Sequence, residues 1–267
     1  IPLLDQNGKP FFDEDDVTDA LGWLANPLDL LDGFSDNRTS TNLLWNNYVE
    51  YKINSDWTIK STIGVQNSTD EIKIWKSTKI PNYTSLNFPA MGGATKITDI
   101  NWLNENTINY RKSFGKNKVN ALAGLTLQKD RAERLSAGAT DFPTENVTYI
   151  SAGIVNSGTH TMSEWSMVSI IGRVNYSFDD KYLFTASLRR DGSSRFGSNN
   201  RWGNFPSFAF AYNISDEDFM KNVNFIDNMK LRLSYGFSGN NQIGNYNFIG
   251  LLSPVNYVNN NSKIAGL

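Results

Sequence analysis

The chain has 267 residues, a formal net charge of −2 and no cysteine. Near-neutral charge removes the electrostatic case for a nucleic-acid partner, and the lack of cysteine excludes disulfides, thiol nucleophiles and Cys-ligated metals. Aromatic residues make up 13% of the chain, with 7 Trp and 11 Tyr, yet mean hydropathy is −0.42 and no run approaches the roughly 18 apolar residues of a membrane helix. That excludes helical spans only, because a barrel strand is apolar at every second position and its average stays low.

The chain starts at Ile1 without an initiator Met or the basic and apolar regions of a signal peptide, and it stops on Ile264-Ala265-Gly266-Leu267. The expectation is an internal piece of a longer sequence. Residues 1–37 read as an irregular outer loop region. Asn7-Gly8 marks a tight turn. The acidic run Asp13-Glu14-Asp15-Asp16 leads into one or two helical turns from Val17 to Leu24, ended by Asn26-Pro27. Residues 38–267 read as barrel strands and their loops.

From there the pattern has a period of two. Across 43–53, Leu43, Trp45, Val49, Tyr51 and Ile53 share a face against Asn46, Tyr48, Glu50 and Lys52. Across 57–67, Trp57, Ile59, Ile63 and Val65 oppose Thr58, Lys60, Thr62 and Gln66. Residues 100–111 set Trp102, Ile108 and Tyr110 against Glu105, Thr107, Asn109 and Arg111, and 118–128 set Val119, Ala121, Ala123, Leu125 and Leu127 against Asn120, Thr126 and Gln128. Val168, Ile170, Val174, Tyr176 and Phe178 follow, then Tyr182, Phe184, Ala186 and Leu188, then Phe208, Phe210, Tyr212 and Ile214. Met229, Leu231, Leu233, Tyr235 and Phe237 make the eighth run, and a ninth is expected near Tyr246. Long loops are expected at 68–97, 129–163 and 191–204. Short turns are expected at 54–56, 113–117 and 179–180, and a longer connection with one helical turn at 215–227.

Alternation shows a sheet with one apolar and one polar face, which a soluble sandwich also has. Three features point to lipid. Glu50, Lys52, Lys60, Glu105, Arg111, Arg173, Arg189, Lys230 and Arg232 all fall on the polar face, as lipid requires, since Lys or Arg facing mid-bilayer costs about 2–4 kcal/mol. Long and short connections alternate, as in bacterial barrels with short periplasmic turns. Tyr51, Trp57, Tyr110, Phe114, Tyr176, Phe178 and Tyr182 gather beside the short turns, where an interfacial girdle belongs. The expected fold class is therefore all-β: an antiparallel transmembrane β-barrel, about eight or nine strands of a larger one, with long outer loops.

Residues 171–249 carry a string of motifs: Ile171-Gly172-Arg173-Val174-Asn175-Tyr176, Arg189-Arg190-Asp191-Gly192-Ser193-Ser194-Arg195-Phe196-Gly197, Asn200-Arg201-Trp202-Gly203 with Phe205-Pro206-Ser207, Leu231-Arg232-Leu233-Ser234-Tyr235-Gly236, Gly239-Asn240 and Ile243-Gly244-Asn245-Tyr246. Their order resembles the barrel of SusC/RagA-type TonB-dependent transporters of Bacteroidetes, with weaker echoes through 40–128. The resemblance implies an importer of the bacterial outer membrane, with a barrel of about 22 strands, an N-terminal plug and a TonB box. It implies a SusD-like surface lipoprotein as lid, TonB-ExbB-ExbD as the energy source and oligosaccharides or peptides as substrate, with no cofactor. The plug, TonB box and later strands of that family are not in this sequence. A plugless porin, a barrel adhesin and a soluble carbohydrate-binding β-sandwich are the alternatives.

The residues offer no enzyme constellation. His160 is the only histidine and reads as a solvated loop residue, as does the acidic run 13–16, whose spacing does not match a calcium loop. Arg189, Arg190, Asp191, Gly192, Arg195, Gly197 and Arg201 read as an ion-pair and turn network fixing a rim loop, the alternative being contact with substrate or lid. Trp75, Tyr83 and Trp202, expected in outer loops, are candidate platforms for sugar faces, with loop packing as the alternative.

Overall fold

The computed structural model describes residues 27–80, 89–221, 225–250, 255–259 and 262–266. After helix α1 (Pro27–Gly33) come β1 (Phe34–Lys52), β2 (Trp57–Lys76), β3 (Met91–Phe114), β4 (Asn117–Thr140), β5 (Ile154–Phe178), β6 (Tyr182–Ser193), β7 (Trp202–Asn213) and β8 (Lys230–Gly236). They form one eight-stranded sheet in chain order, antiparallel throughout. A separate antiparallel pair, β9 (Val255–Asn259) and β10 (Ser262–Gly266), follows.

The expected strand centres are present, but the strands run longer. β2 continues to Lys76 and β3 starts at Met91, while β4 reaches Thr140 and β5 starts at Ile154. The expected loops 68–97 and 129–163 are thus largely strand. Parts of those stretches, such as Gln66-Asn67-Ser68-Thr69-Asp70-Glu71, are polar on both faces and carry no alternation. Pro27 opens helix α1, a position where its missing N–H costs nothing. The ninth strand expected at Tyr246 is a turn, with Tyr246 at φ 67, and the next strand is β9. The expected turn at Asn7-Gly8, the acidic run 13–16 and the helical turns at 17–24 lie outside the described residues.

The chain divides into two compact units. The first comprises Ile1–Leu44, Val65–Asn101 and Arg131–Ser163. Ile80, Ala90 and Ala139 are buried in it. Phe142 meets Trp75 edge to face, with ring centroids 4.8 Å apart. Glu145, in the β4–β5 loop, accepts from the Thr78 N–H at 2.9 Å, the Ser77 hydroxyl at 2.7 Å and the Thr78 hydroxyl. These donors hold its carboxyl below the ordinary carboxylate value.

The second unit comprises Trp45–Gly64, Trp102–Asp130 and Glu164–Leu267. Its register stacks apolar side chains in rows: Tyr176, Phe184, Phe210 and Leu233 in one, Val174, Ala186, Phe208 and Tyr235 in the next. The opposite face carries Asn175, Thr185, Ala209 and Ser234, tied by Thr185 to Asn175 at 2.9 Å and Ser187 to Ser207 at 2.6 Å. The apolar rows have nothing over them: Phe208 is 61% exposed, Leu233 60% and Tyr235 69%. Among the described residues no large side chain is fully buried. A soluble sandwich would bury such a face against a second sheet, whereas a barrel wall presents it outward to lipid.

The short-turn edge of this unit is a chain of ion pairs. Asn54 Oδ1 accepts from the N–H groups of Asp56 and Trp57, both at 2.9 Å. Gly115 supplies φ +57 in a two-residue turn, and Asp179 and Asp180, both at φ 55, lead the three-residue turn between β5 and β6. Lys112 reaches Asp56 at 2.6 Å, and Lys116 and Lys118 reach Asp179 and Asp180, each at 2.6 Å. Each hairpin tip is thereby bonded to its neighbour. Rings line the same edge, with Trp57 4.7 Å from Tyr110 and Tyr182 stacked on Tyr212 at 5.0 Å.

Candidate functional site

The motif string of residues 189–203 folds at the far end of β6 and β7 from the short turns. Trp202 opens β7 and pairs with Gly192 across the ladder. A Cβ on Gly192 would stand 2.8 Å from the indole ring, so only glycine lets the ring lie over the strand. Arg190 places its guanidinium 5.1 Å from the same ring, a cation–π contact. Both Arg190 and Trp202 share a face with Leu188 and Phe208, the apolar one.

Arg189 and Asp191 point to the polar face. Arg189 Nε lies 2.7 and 2.8 Å from the two carboxylate oxygens of Asp191, and its Nη2 lies 3.0 Å from the hydroxyl of buried Ser169. The carboxylate and guanidinium thus satisfy each other. The Arg201 carbonyl accepts from the Ser193 N–H at 3.0 Å, closing the hairpin, and the Gly197 carbonyl accepts from Asn200 at 3.0 Å.

Arg195 reaches furthest. Its Nε donates to Asn245 Oδ1 at 2.8 Å and its Nη1 to the Asn241 carbonyl at 3.1 Å, while the guanidinium lies 4.4 Å from the Trp165 ring centre. The 239–246 loop is fixed twice more: Asn241 Nδ2 contacts Met167 Sδ at 3.2 Å, and the Glu164 N–H donates to the Tyr246 hydroxyl at 3.1 Å. A cavity of about 520 Å³ opens against this assembly, walled in part by Arg189, Asp191, Phe205 and Asn241. Its wall suits hydrogen bonding and ring contact with a polar ligand.

Arg189, Arg190, Asp191, Gly192, Arg195, Gly197, Arg201 and Trp202 are therefore brought together. Trp75 belongs to the first unit, half-buried against Phe142 in β2, a strand and not the expected loop. Tyr83 lies outside the described residues. His160 also sits in a strand, β5, with its Nε2 2.8 Å from Glu133. Sequence reading missed Trp165, Ser169 and the pairing of Arg195 with Asn245. Both ends of that pairing lie within quoted motifs, but their separation of 50 residues has no periodic mark.

The sequence matches the family described as TonB dependent receptor-like, beta-barrel, over residues 3–265. The chain belongs to this family. Within it, the chain is of the SusC/RagA type. It is 35% identical over 250 residues to TonB-dependent receptor P3 of Formosa agariphila, covering 91% of this chain and 24% of that protein. It is 51% identical over 79 residues to TonB-dependent receptor SusC of Bacteroides thetaiotaomicron, 30% of this chain and 8% of that one. Among solved structures, the RagAB peptide importer in its closed-closed state superposes with TM-score 0.84 at 24% identity, covering 99% of this chain and 29% of that one. The chain spans about a quarter of the length of the longest-matching curated relatives. TonB-dependent receptors of this type are outer-membrane proteins.

Proposed function

We propose that this chain forms part of the wall of a TonB-coupled importer in the bacterial outer membrane, taking up oligosaccharides or peptides beneath a SusD-like surface lipoprotein. The observation that carries the reading is the uncovered apolar face of β5–β8, with Phe208, Leu233 and Tyr235 exposed in register. Water disfavours a contiguous apolar surface of that extent, whereas lipid requires it. Kinship to SusC and to the RagAB importer supports both the energy coupling and the lipoprotein partner. The short-turn edge faces the periplasm in this reading, because bacterial barrels keep their short turns there.

The charges of the 189–201 motif serve architecture, since Arg189 is occupied by Asp191 and Arg195 by the 239–246 loop. Trp75, Tyr83 and Trp202 are the proposed ring contacts for substrate, Trp202 at the rim through the cavity it helps to wall. The test is uptake of labelled oligosaccharides and labelled oligopeptides by cells producing the full chain, with TonB present and depleted. Accumulation of one class that stops on TonB depletion is the expected result, and accumulation unaffected by depletion overturns the coupling. Alanine at each of the three rings should raise the half-saturating concentration without lowering the amount of protein in the membrane. A lowered amount instead assigns that ring to packing.

A further inference from the structure

Among the short-side connections, that from β7 to β8 is long, and its position is fixed in an informative way. Glu217 takes the Lys181 ammonium at 2.9 Å, the Tyr182 hydroxyl at 2.8 Å and the Tyr212 hydroxyl at 3.2 Å. Tyr182 and Tyr212 lie on the apolar face, in the columns of Phe184 and Phe210. The connection is therefore tied to the outward side of the wall. The Met229 carbonyl accepts from Ile214 N at 2.8 Å and Ser215 N at 3.1 Å, which closes its base.

From this base project large apolar side chains with no cover. Phe219 is 66% exposed and Phe225 is 86% exposed. Two 3-10 turns, Ile214–Asp216 and Asp218–Met220, hold the first of them. We propose that residues 214–221 and 225–229 form an interfacial foot, resting on the periplasmic leaflet with Phe219 and Phe225 at the headgroup–acyl boundary. The inference rests on the barrel reading above and goes beyond it, because a turn has no need of lipid. Aromatic rings are suited to that depth, and an outward anchor at the end of an apolar face delivers them to it.

The charge of the foot selects the lipid. Asp216, Asp218 and Asp227 outnumber Lys221, which is itself paired with Asp218 at 2.7 Å, and Glu217 is neutralised by Lys181. An acidic foot is repelled by anionic headgroups. Its partner is therefore a zwitterionic ethanolamine phospholipid.

These 267 residues contain no cysteine, so single nitroxide labels at Phe219→Cys and Phe225→Cys have no competitor among them; the full chain, with any cysteine elsewhere replaced by serine, is inserted in phosphatidylethanolamine vesicles with a minor phosphatidylglycerol fraction. Ser55→Cys, in a neighbouring turn, is the aqueous control, and Phe184→Cys, on the wall, is the lipid control. The ratio of oxygen to soluble-nickel accessibility at 219 and 225 should exceed that at 55 by roughly threefold or more, as a boundary depth requires, and fall below that at 184. Labels at 219 and 225 that match 55 while 184 reports lipid overturn the foot and leave the barrel standing. An aqueous label at 184 overturns both. Vesicles of pure phosphatidylglycerol should lower the ratio at 219, and an unchanged ratio refutes the lipid preference.

Discussion

A methyl group at position 192 would stand 2.8 Å from the Trp202 ring. Gly192→Ala must therefore displace either the ring or the strand, at about 1–3 kcal/mol by the usual cost of overpacking. Trp202→Ala should remove the clash, so the double variant should lose less than the sum of the two single losses. Urea unfolding of the four proteins checks this, and additive losses would show that the ring does not lie over Gly192. Arg195 offers a sharper case. Lysine retains its charge but cannot direct two planar donors at Asn245 and the Asn241 carbonyl while lying on Trp165. Arg195→Lys should free the 239–246 loop by about 2–3 kcal/mol, the worth of one charge-assisted hydrogen bond with its ring contact. Faster amide exchange confined to that loop is the expected readout, and unchanged exchange would remove Arg195 as its tether.

The short-turn edge depends on carboxylates paired across separate hairpins, so its order should follow pH. Lys112 holds Asp56 below the ordinary 3.8, Lys118 does the same for Asp180, and Lys181 with the two phenols holds Glu217 below 4.5. For a carboxylate whose folded value is depressed, the stabilisation is present above the unfolded value and is lost as pH falls through the folded one. The edge should therefore be intact at neutral pH, start to loosen below about pH 4.5 and be unpaired once pH passes below the folded values. Lys181 titrates above its ordinary 10.5 because its ammonium donates a hydrogen bond to the Glu217 carboxylate, which favours the charged form. Its contribution is present below 10.5 and is lost as pH climbs past the raised value. Amide exchange at residues 54–56 and 179–181, followed across pH, should show protection failing at both limits. The elements themselves were legible in sequence only where their two faces differ. Val119, Ala121, Ala123, Leu125 and Leu127 fall on one face opposite Asn120, Thr126 and Gln128, a period that marks a strand. Lys129-Asp130-Arg131 continues the same strand with charge on both faces, so the period vanishes although the ladder does not. The same physics hid Glu217. The unusual length of residues 215–227 was visible, but three hydrogen bonds from Lys181, Tyr182 and Tyr212 are tertiary facts that no local pattern encodes.

For the molecule, what matters is which medium meets each face of the sheet, and two adjacent residues can separate the possibilities. Phe208 lies in the row of Val174, Ala186 and Tyr235, and Ala209 lies in the row of Asn175, Thr185 and Ser234. Both are exposed, so neither substitution meets a packing obstacle, and both positions lie mid-strand in β7. If lipid covers the first row and water the second, Phe208→Arg places a guanidinium in the hydrocarbon at about 2–4 kcal/mol. Ala209→Arg places it in the aqueous lumen, within about 0.5 kcal/mol of the parent. Urea titration of the full chain refolded into vesicles should therefore show a large loss for the first and almost none for the second. In a sheet with water on both faces the two losses would be alike. Equal losses would thus refute the membrane assignment directly, whatever the chain's kinship. The expected inequality instead ties that assignment to the same alternation of side chains that first marked the strands.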